Sequence, residues 1–200
     1  MIKAYKKLST DSVMQQLIKR FGELSLTTSD NLFVDLVSNI VGQQLSVKAA
    51  ATIWGRVQAL IGEIAPKNVL ETSDEAIRQA GCSYSKIRYI KNIATVVLDN
   101  TLDISNLHSY DDEEIILQLT AIKGVGRWTA EMFLIFSLGR EDVFSFGDGG
   151  LRNSINRLYS NGTILSKDEV VVLTDKWKPY RSIASLYLWK NLDNAPQVIK

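Results

Sequence analysis

Two short stretches hold the residue types whose spacing could do chemistry. The first, AIKGVGRWTAEMFLIF (Ala121 to Phe136), sets Gly124 and Gly126 around Val125, between an apolar residue and a helical pattern. Glycine permits positive φ and, lacking Cβ, lets a backbone or a ligand come close. The amides of Gly124, Gly126 and the first turn of the next helix then have no intrahelical acceptor. At the positive end of a helix dipole they suit an anion, and a phosphate diester fits. A helix–turn–helix connection with a capping glycine is the simpler account of the glycines alone. The second stretch, VFSFGDGGLRNSINRLY, places Asp148 after Gly147 and before Gly149 and Gly150, at the start of a predicted helix. Taken by itself, Asp148 is an N-cap.

Composition removes several other chemistries. Cys82 is the single cysteine and His108 the single histidine. That excludes an internal disulfide, a Cys-rich zinc site and a four-cysteine iron–sulfur cluster. A His-based triad or a His-rich metal centre would rest on one residue and is set aside. With 46% apolar and 22% charged residues, the 200-residue chain has an ordinary soluble composition. It is long enough for one sizeable core or for two small helical lobes sharing a cleft. The opening MIKAYKKL has no apolar leader segment, and no apolar run reaches membrane-spanning length. An intracellular protein without membrane contact is expected, in the cytoplasm and nucleoid or, in a eukaryote, the nucleus. The net charge of +1 gives no global argument for a polyanionic partner. Basic residues do cluster, as Lys86, Arg88 and Lys91 and again as Lys176, Lys178 and Arg181. One basic face and ordinary solvated helix faces both fit that pattern.

The elements that must position these residues read as helical nearly throughout, so the fold class is all-α. Leu32, Phe33, Leu36, Val37, Ile40 and Val41 form a helical stripe that Ser29 or Asp30 would cap. A second helix is predicted from near Ser46 through Leu60, ending at Gly62. A short one follows Ser73 and ends before Gly81. SYSKIRYIKNIATVVLDN, the acidic-started YDDEEIILQLTAI, GGLRNSINRLY, DEVVVLTDKW and YRSIASLYLWKNL supply the rest. Asp142 to Phe146 is the one strand-like run, too short to found a sheet. No repeat and no low-complexity segment is visible.

Ile122, Lys123, Gly124, Val125, Gly126, Arg127, Trp128, Thr129 and Ala130 together match apolar-x-Gly-apolar-Gly-x-x-Thr/Ala-Ala, and so resemble the helix-hairpin-helix motif. That resemblance implies a DNA phosphate held by Gly124, Val125, Gly126, Arg127 and Thr129, with a monovalent cation at hairpin carbonyls near Ile122. A hairpin followed by a loop carrying Gly-x-Asp resembles the helix-hairpin-helix DNA glycosylase superfamily of DNA repair, and makes Asp148 the catalytic residue. The chemistry agrees. Cleaving an N-glycosidic bond builds positive charge on the deoxyribose, which a fixed carboxylate stabilises while orienting the attacking water. Capping and catalysis are compatible roles for one aspartate.

GRWTA, WKPYRSIASLYLW (Trp177 to Trp189) and IVGQQLSVKAAATIWGRV (Ile40 to Val57) are similar to the 3-methyladenine DNA glycosylase II family. The likeness runs from about Leu32 to Trp189. It implies a monofunctional enzyme that removes alkylated purines from double-stranded DNA, 3-methyladenine first and 7-methylguanine and related bases after it. Such an enzyme flips the base, attacks C1′ with water, acts as a monomer and needs no metal or organic cofactor. Members that also cut the strand carry a lysine where this chain has Trp128. An indole face attracts a cationic alkylated base by ~0.5–2 kcal/mol beyond stacking, which makes Trp128 the expected base contact. Trp177, Tyr180 and Tyr187 are further pocket candidates, though aromatics at helical spacing are also core formers. Trp54 and Trp189 are assigned to packing. Flipping costs a few kcal/mol, and GCSYSK (Gly81 to Lys86) matches the family's wedge loop. Tyr84 there is either the plug or an exposed loop side chain. Lys86 and Arg88 either hold phosphates or are solvated.

The chain departs from the family in three places. The β-rich N-terminal domain of larger members is expected to be missing, the loop before Asp148 lacks a proline, and Met132 stands where some relatives have an aromatic residue. The expected organisation is one unit over 1–200. About 29–115 would form one lobe, about 116–160 the hairpin and catalytic loop, and the terminal helices would complete the second lobe. A DNA-binding helix-hairpin-helix module without chemistry is the alternative reading.

Overall fold

The computed structural model describes residues 2–194. Among them the chain forms α-helices, one 3-10 helix and no strand. It begins with α1 (Ile2–Leu8) and α2 (Ser12–Phe21). It continues through α3 (Leu32–Gly42), α4 (Val47–Ile61), α5 (Pro66–Glu71), α6 (Asp74–Gln79) and α7 (Tyr84–Leu98). The 3-10 turn Ile104–Ser109 leads to α8 (Asp112–Thr120) and α9 (Arg127–Phe136). It ends with α10 (Gly149–Tyr159), α11 (Lys167–Asp175) and α12 (Arg181–Asp193). None of the described helices is long and apolar enough to cross a membrane.

Two compact units result, Thr28–Leu138 and a second built from the chain up to Thr27 together with the chain from Gly139 onward. The expected segment 116–160 is therefore divided: the hairpin belongs with α3 to α8, and Asp148 with the terminal helices.

In the first of these units, α3 packs on α4, α7 and α9, α5 on α7, and α8 on α9. Leu36, Ile40, Ile87, Ile90, Ile93, Leu119 and Phe133 are fully buried there. Each such side chain contributes about 1.5–3 kcal/mol on leaving water. Ser46, Ser73 and Ser83 each accept an amide hydrogen bond at a helix start, and Asp111 with Glu114 closes a capping box on α8. The cap of α3 is a correction. Asn31, not Ser29 or Asp30, accepts from the Val34 amide, because Ser29 Oγ is occupied one step earlier by the Asn31 amide.

In the discontinuous unit, α12 packs on α2 and α10. Asp11 is its polar centre. Its carboxylate accepts from the Val13 and Met14 amides, from Tyr159 Oη and from Trp177 Nε1. Burial and then the Asp11 charge push the Tyr159 phenol well above the usual range.

Trp177 and Tyr187 are 1% and 0% exposed in this core, a correction to their expected place in a base pocket. The Trp177 indole donates to Asp11, while Tyr187 Oη donates to the Gly22 carbonyl and accepts from the Leu24 amide. Both are consumed by packing. Tyr180 is half-buried at the N-cap position of α12 and packs on the same core. Asp142 to Phe146 forms no strand. Its polar groups are taken by α12 instead: Arg181 forks onto the Asp142 carboxylate, and Ser182 Oγ accepts from the Val143 amide and donates to its carbonyl.

Candidate functional site

The hairpin is built by α8 ending at Thr120 and α9 starting after Gly126. Gly124 has φ +109°, and a Cβ there would overlap the Tyr89 ring, so glycine is required twice over. Gly126 differs from expectation. Its φ is −89° with open space around it, and it serves as the N-cap of α9, where the missing side chain leaves the first-turn amides uncovered. Among the described residues, the amides of Gly124, Gly126, Arg127 and Thr129 donate to no backbone carbonyl. Amides left uncovered at a helix start have the donor geometry that suits an anion.

Several hairpin residues do less than expected. The Val125 amide is taken by the Ile122 carbonyl at 3.0 Å, and its side chain is buried, so Val125 supports the turn from inside. Thr129 is buried, and its Oγ1 accepts from Gln43 Nε2 at 3.1 Å. Gln43 also donates to the Gly124 carbonyl at 3.3 Å, tying α3 to the turn. The Arg127 guanidinium is neutralised by Glu113 at 2.6 Å and by Glu131 at 3.0 Å, which hold its proton more tightly than usual. Arg127 thus faces two carboxylates instead of a phosphate. Trp128, on the first turn of α9, is 46% exposed and shows an indole surface to solvent.

Tyr84 is the first residue of α7, not a loop residue. It is 51% exposed, its Oη donates to Glu75 at 3.0 Å, and the Arg78 guanidinium lies over its ring at 5.8 Å. Lys86 is corrected more strongly: its Nζ donates to the Val41 carbonyl at 2.7 Å, and burial lowers its pKa. It ties α7 to α3 and is not turned to a phosphate. Arg88 is exposed and shares a depression of about 230 Å³ with Asp74, Tyr89, Lys91, Asn92 and Lys123, in which Lys91 is paired with Asp74. Asn92 Nδ2 donates to the Lys123 carbonyl at 3.2 Å, fixing one wall of it to the hairpin.

In the other unit, Asp148 is 8% exposed and caps α10. Its Oδ1 accepts from the Leu151 amide at 2.7 Å and from Trp189 Nε1 at 3.1 Å, and its own amide donates to the Ser145 carbonyl. Two donors of different origin fix the plane of the carboxylate. Gly150 makes room for the arrangement: a Cβ there would lie 3.1 Å from Asp148 Oδ1 and 3.5 Å from Trp189 Cδ1. Sequence reasoning missed Trp189, which was assigned to packing. Its place with Trp177 in one aromatic-rich stretch of sequence gives no signal of which indole reaches Asp148. Met132 is largely buried. Among the described residues no cluster of His, Cys, Asp or Glu forms a metal-binding group.

The same elements occur in known proteins. Residues 37–179 match the family described as HhH-GPD superfamily base excision DNA repair protein. The crystal structure of a DNA-3-methyladenine glycosidase from Bacillus halodurans is 45% identical. It superposes with a TM-score of 0.83 over 94% of this chain and 88% of that one. Schizosaccharomyces pombe Mag1, a 3-methyladenine DNA glycosylase solved with abasic DNA, is 33% identical, with a TM-score of 0.87 over 96% and 98%. The Bacillus subtilis protein YfjP is 32% identical over 77% of this chain, and this chain spans 56% of YfjP. On the hairpin, the aspartate-capped helix and the match across most of its length, the chain belongs to the HhH-GPD superfamily of base excision DNA repair proteins.

Proposed function

We propose that this chain is a monofunctional DNA N-glycosylase that excises alkylated purines, 3-methyladenine foremost, in the first step of base excision repair. The observation that carries the reading is the Asp148 carboxylate, held at a helix N-cap by both an amide and an indole. A purine alkylated at N3 or N7 is cationic and leaves with the glycosidic electron pair as a neutral base. Positive charge then develops at C1′, and a fixed carboxylate stabilises it. Water adds to C1′ and gives its proton to the Asp148 carboxylate, so the products are free base and an abasic site.

The uncovered amides of Gly124, Gly126, Arg127 and Thr129 hold a backbone phosphate of the duplex, with Arg88 and Lys123 as neighbouring cations. Hairpin carbonyls near Ile122 suit a monovalent cation. The exposed Trp128 indole stacks on the cationic base, and Tyr84 is the exposed aromatic available to fill the gap the flipped nucleotide leaves. Trp128 stands where strand-cutting members carry lysine, which supports release without lyase chemistry. Action on DNA supports a location inside the cell, and with it we infer that the protein acts as a monomer.

The test is release of free 3-methyladenine from methylated duplex DNA by wild type and Asp148→Asn, with strand breaks scored separately. Wild-type release, a loss of about 10²–10⁴-fold in the variant and no breaks without alkali are expected. DNA binding by both proteins with no base released from any alkylated substrate would leave a binding module with Asp148 as its helix cap.

A further inference from the structure

The helix that Asp148 caps carries a second feature that the chemistry above does not use. A groove of about 440 Å³ runs along α10, lined by Arg152, Asn153, Asn156 and Arg157 and by Gly162 and Ile164 of the following loop. Its loop wall is fixed in place. The Asn156 carbonyl accepts from the Gly162 amide at 2.7 Å, and Asn156 Oδ1 accepts from the Leu165 amide at 3.1 Å. Gly162 takes φ +89° to make that turn.

No acidic residue lines the groove. Arg152 and Arg157 are both exposed, and among the described residues neither side chain is engaged in an ion pair or hydrogen bond. The contrast with other arginines is direct, since Arg127 is neutralised by two glutamates and Arg181 by Asp142. Two uncompensated guanidinium forks beside the Asn153 amide form a donor set suited to phosphate oxygens, which accept bidentate hydrogen bonds in that geometry.

We propose that this groove is a second phosphate subsite, one that grips the DNA backbone on the helix that Asp148 caps. The proposal rests on the DNA reading given above. Helix geometry puts Arg152 about 6 Å and Arg157 about 13 Å along the axis from Asp148. A strand seated there is registered against the carboxylate within a single rigid element. Such contacts carry no sequence information and add to affinity through counterion release.

The full chain and its Arg152→Gln, Arg157→Gln and double variants are titrated with a duplex holding a tetrahydrofuran abasic-site analogue, from low to high salt. Each single substitution is expected to weaken binding roughly 3–10-fold and to lower the slope of log K against log salt by about one, the double by about two. Unchanged thermal melting without DNA shows that the variants fold. Wild-type affinity and slope in the double variant overturn the subsite, as does a groove that captures an acidic polypeptide while leaving DNA binding untouched. The two proposals separate cleanly. An arginine-dependent slope in a protein that releases no base keeps the subsite and removes the glycosylase. Normal base release with an unchanged slope does the reverse.

Discussion

Asp148 Oδ1 receives one donor from its own helix, the Leu151 amide, and one from α12, the Trp189 indole. The first belongs to any aspartate at an N-cap and is legible from the glycine-flanked sequence around it. The second depends on α12 crossing that helix start with Gly150 between them, which no local pattern encodes. Trp189 is therefore a positioning residue. Trp189→Phe keeps most of the ring and removes the donor. A hydrogen bond to a charged group is worth about 1.5–3 kcal/mol, so single-turnover base release at saturating enzyme should fall roughly 10–100-fold. The affinity for an abasic duplex should stay within a factor of about two, because the indole holds the carboxylate and no phosphate. Equal losses in binding and in release would make Trp189 a packing residue after all. Trp177 shows the converse: an indole twelve residues earlier in the same stretch is satisfied by Asp11 and buried in the core.

Helix α12 does the positioning at the scale of elements. Arg181 and Ser182 hold the chain at Asp142 and Val143, and Trp189 holds it at Asp148, so one helix pins both ends of the segment leading to the carboxylate. Several helices were legible where a capping residue preceded an apolar period, as at Ser46, Ser73 and Asp111, though α2 behind Asp11 was not. Four pieces were not: α1 and α2, which no predicted range covers, and α5, a six-residue helix started by Pro66, with the 3-10 turn Ile104–Ser109, these last two too short to show a period. The facing of α12 was illegible for another reason. Residues 182–185, 187 and 188 are all buried, so its apolar positions surround the helix and do not single out one face. That is why Tyr187 was expected in a pocket and lies in the core. Asp11 offers the element-scale test. It caps α2 and accepts from two side chains, Tyr159 and Trp177. Asp11→Ala should cost about 2–4 kcal/mol, a cap plus two donors left without their carboxylate. Urea unfolding measures it, and a cost under about 1 kcal/mol would mean that water replaces the carboxylate.

Across the whole chain, one unit is continuous and the other is closed by bringing the N-terminal segment onto the segment that returns at Gly139. Tyrosines make the closure. Tyr187 bonds to Gly22 and Leu24, Tyr159 bonds to Asp11, and Tyr5 donates to the Leu24 carbonyl. Burial raises the pKa of all three phenols above the usual tyrosine value. A phenol with a raised folded-state pKa keeps its proton in the native chain where the unfolded chain releases it. Its contribution to stability is complete below about pH 10, the unfolded value. It is lost as pH climbs toward the folded value, at about 1.4 kcal/mol per pH unit for one group. Tyr159, the most strongly shifted, isolates the effect. Wild-type stability should drop steeply between pH 10 and 11.5. Tyr159→Phe should start lower at neutral pH, having lost the bond to Asp11, yet fall less steeply, by about 1.4 kcal/mol per unit. Urea unfolding of both proteins across that range measures the two slopes. Parallel slopes would mean that Tyr159 ionises as readily in the folded unit as outside it. A flatter slope in the variant would locate part of the alkaline weakness at the seam between the two chain segments that carry the Asp148 helix.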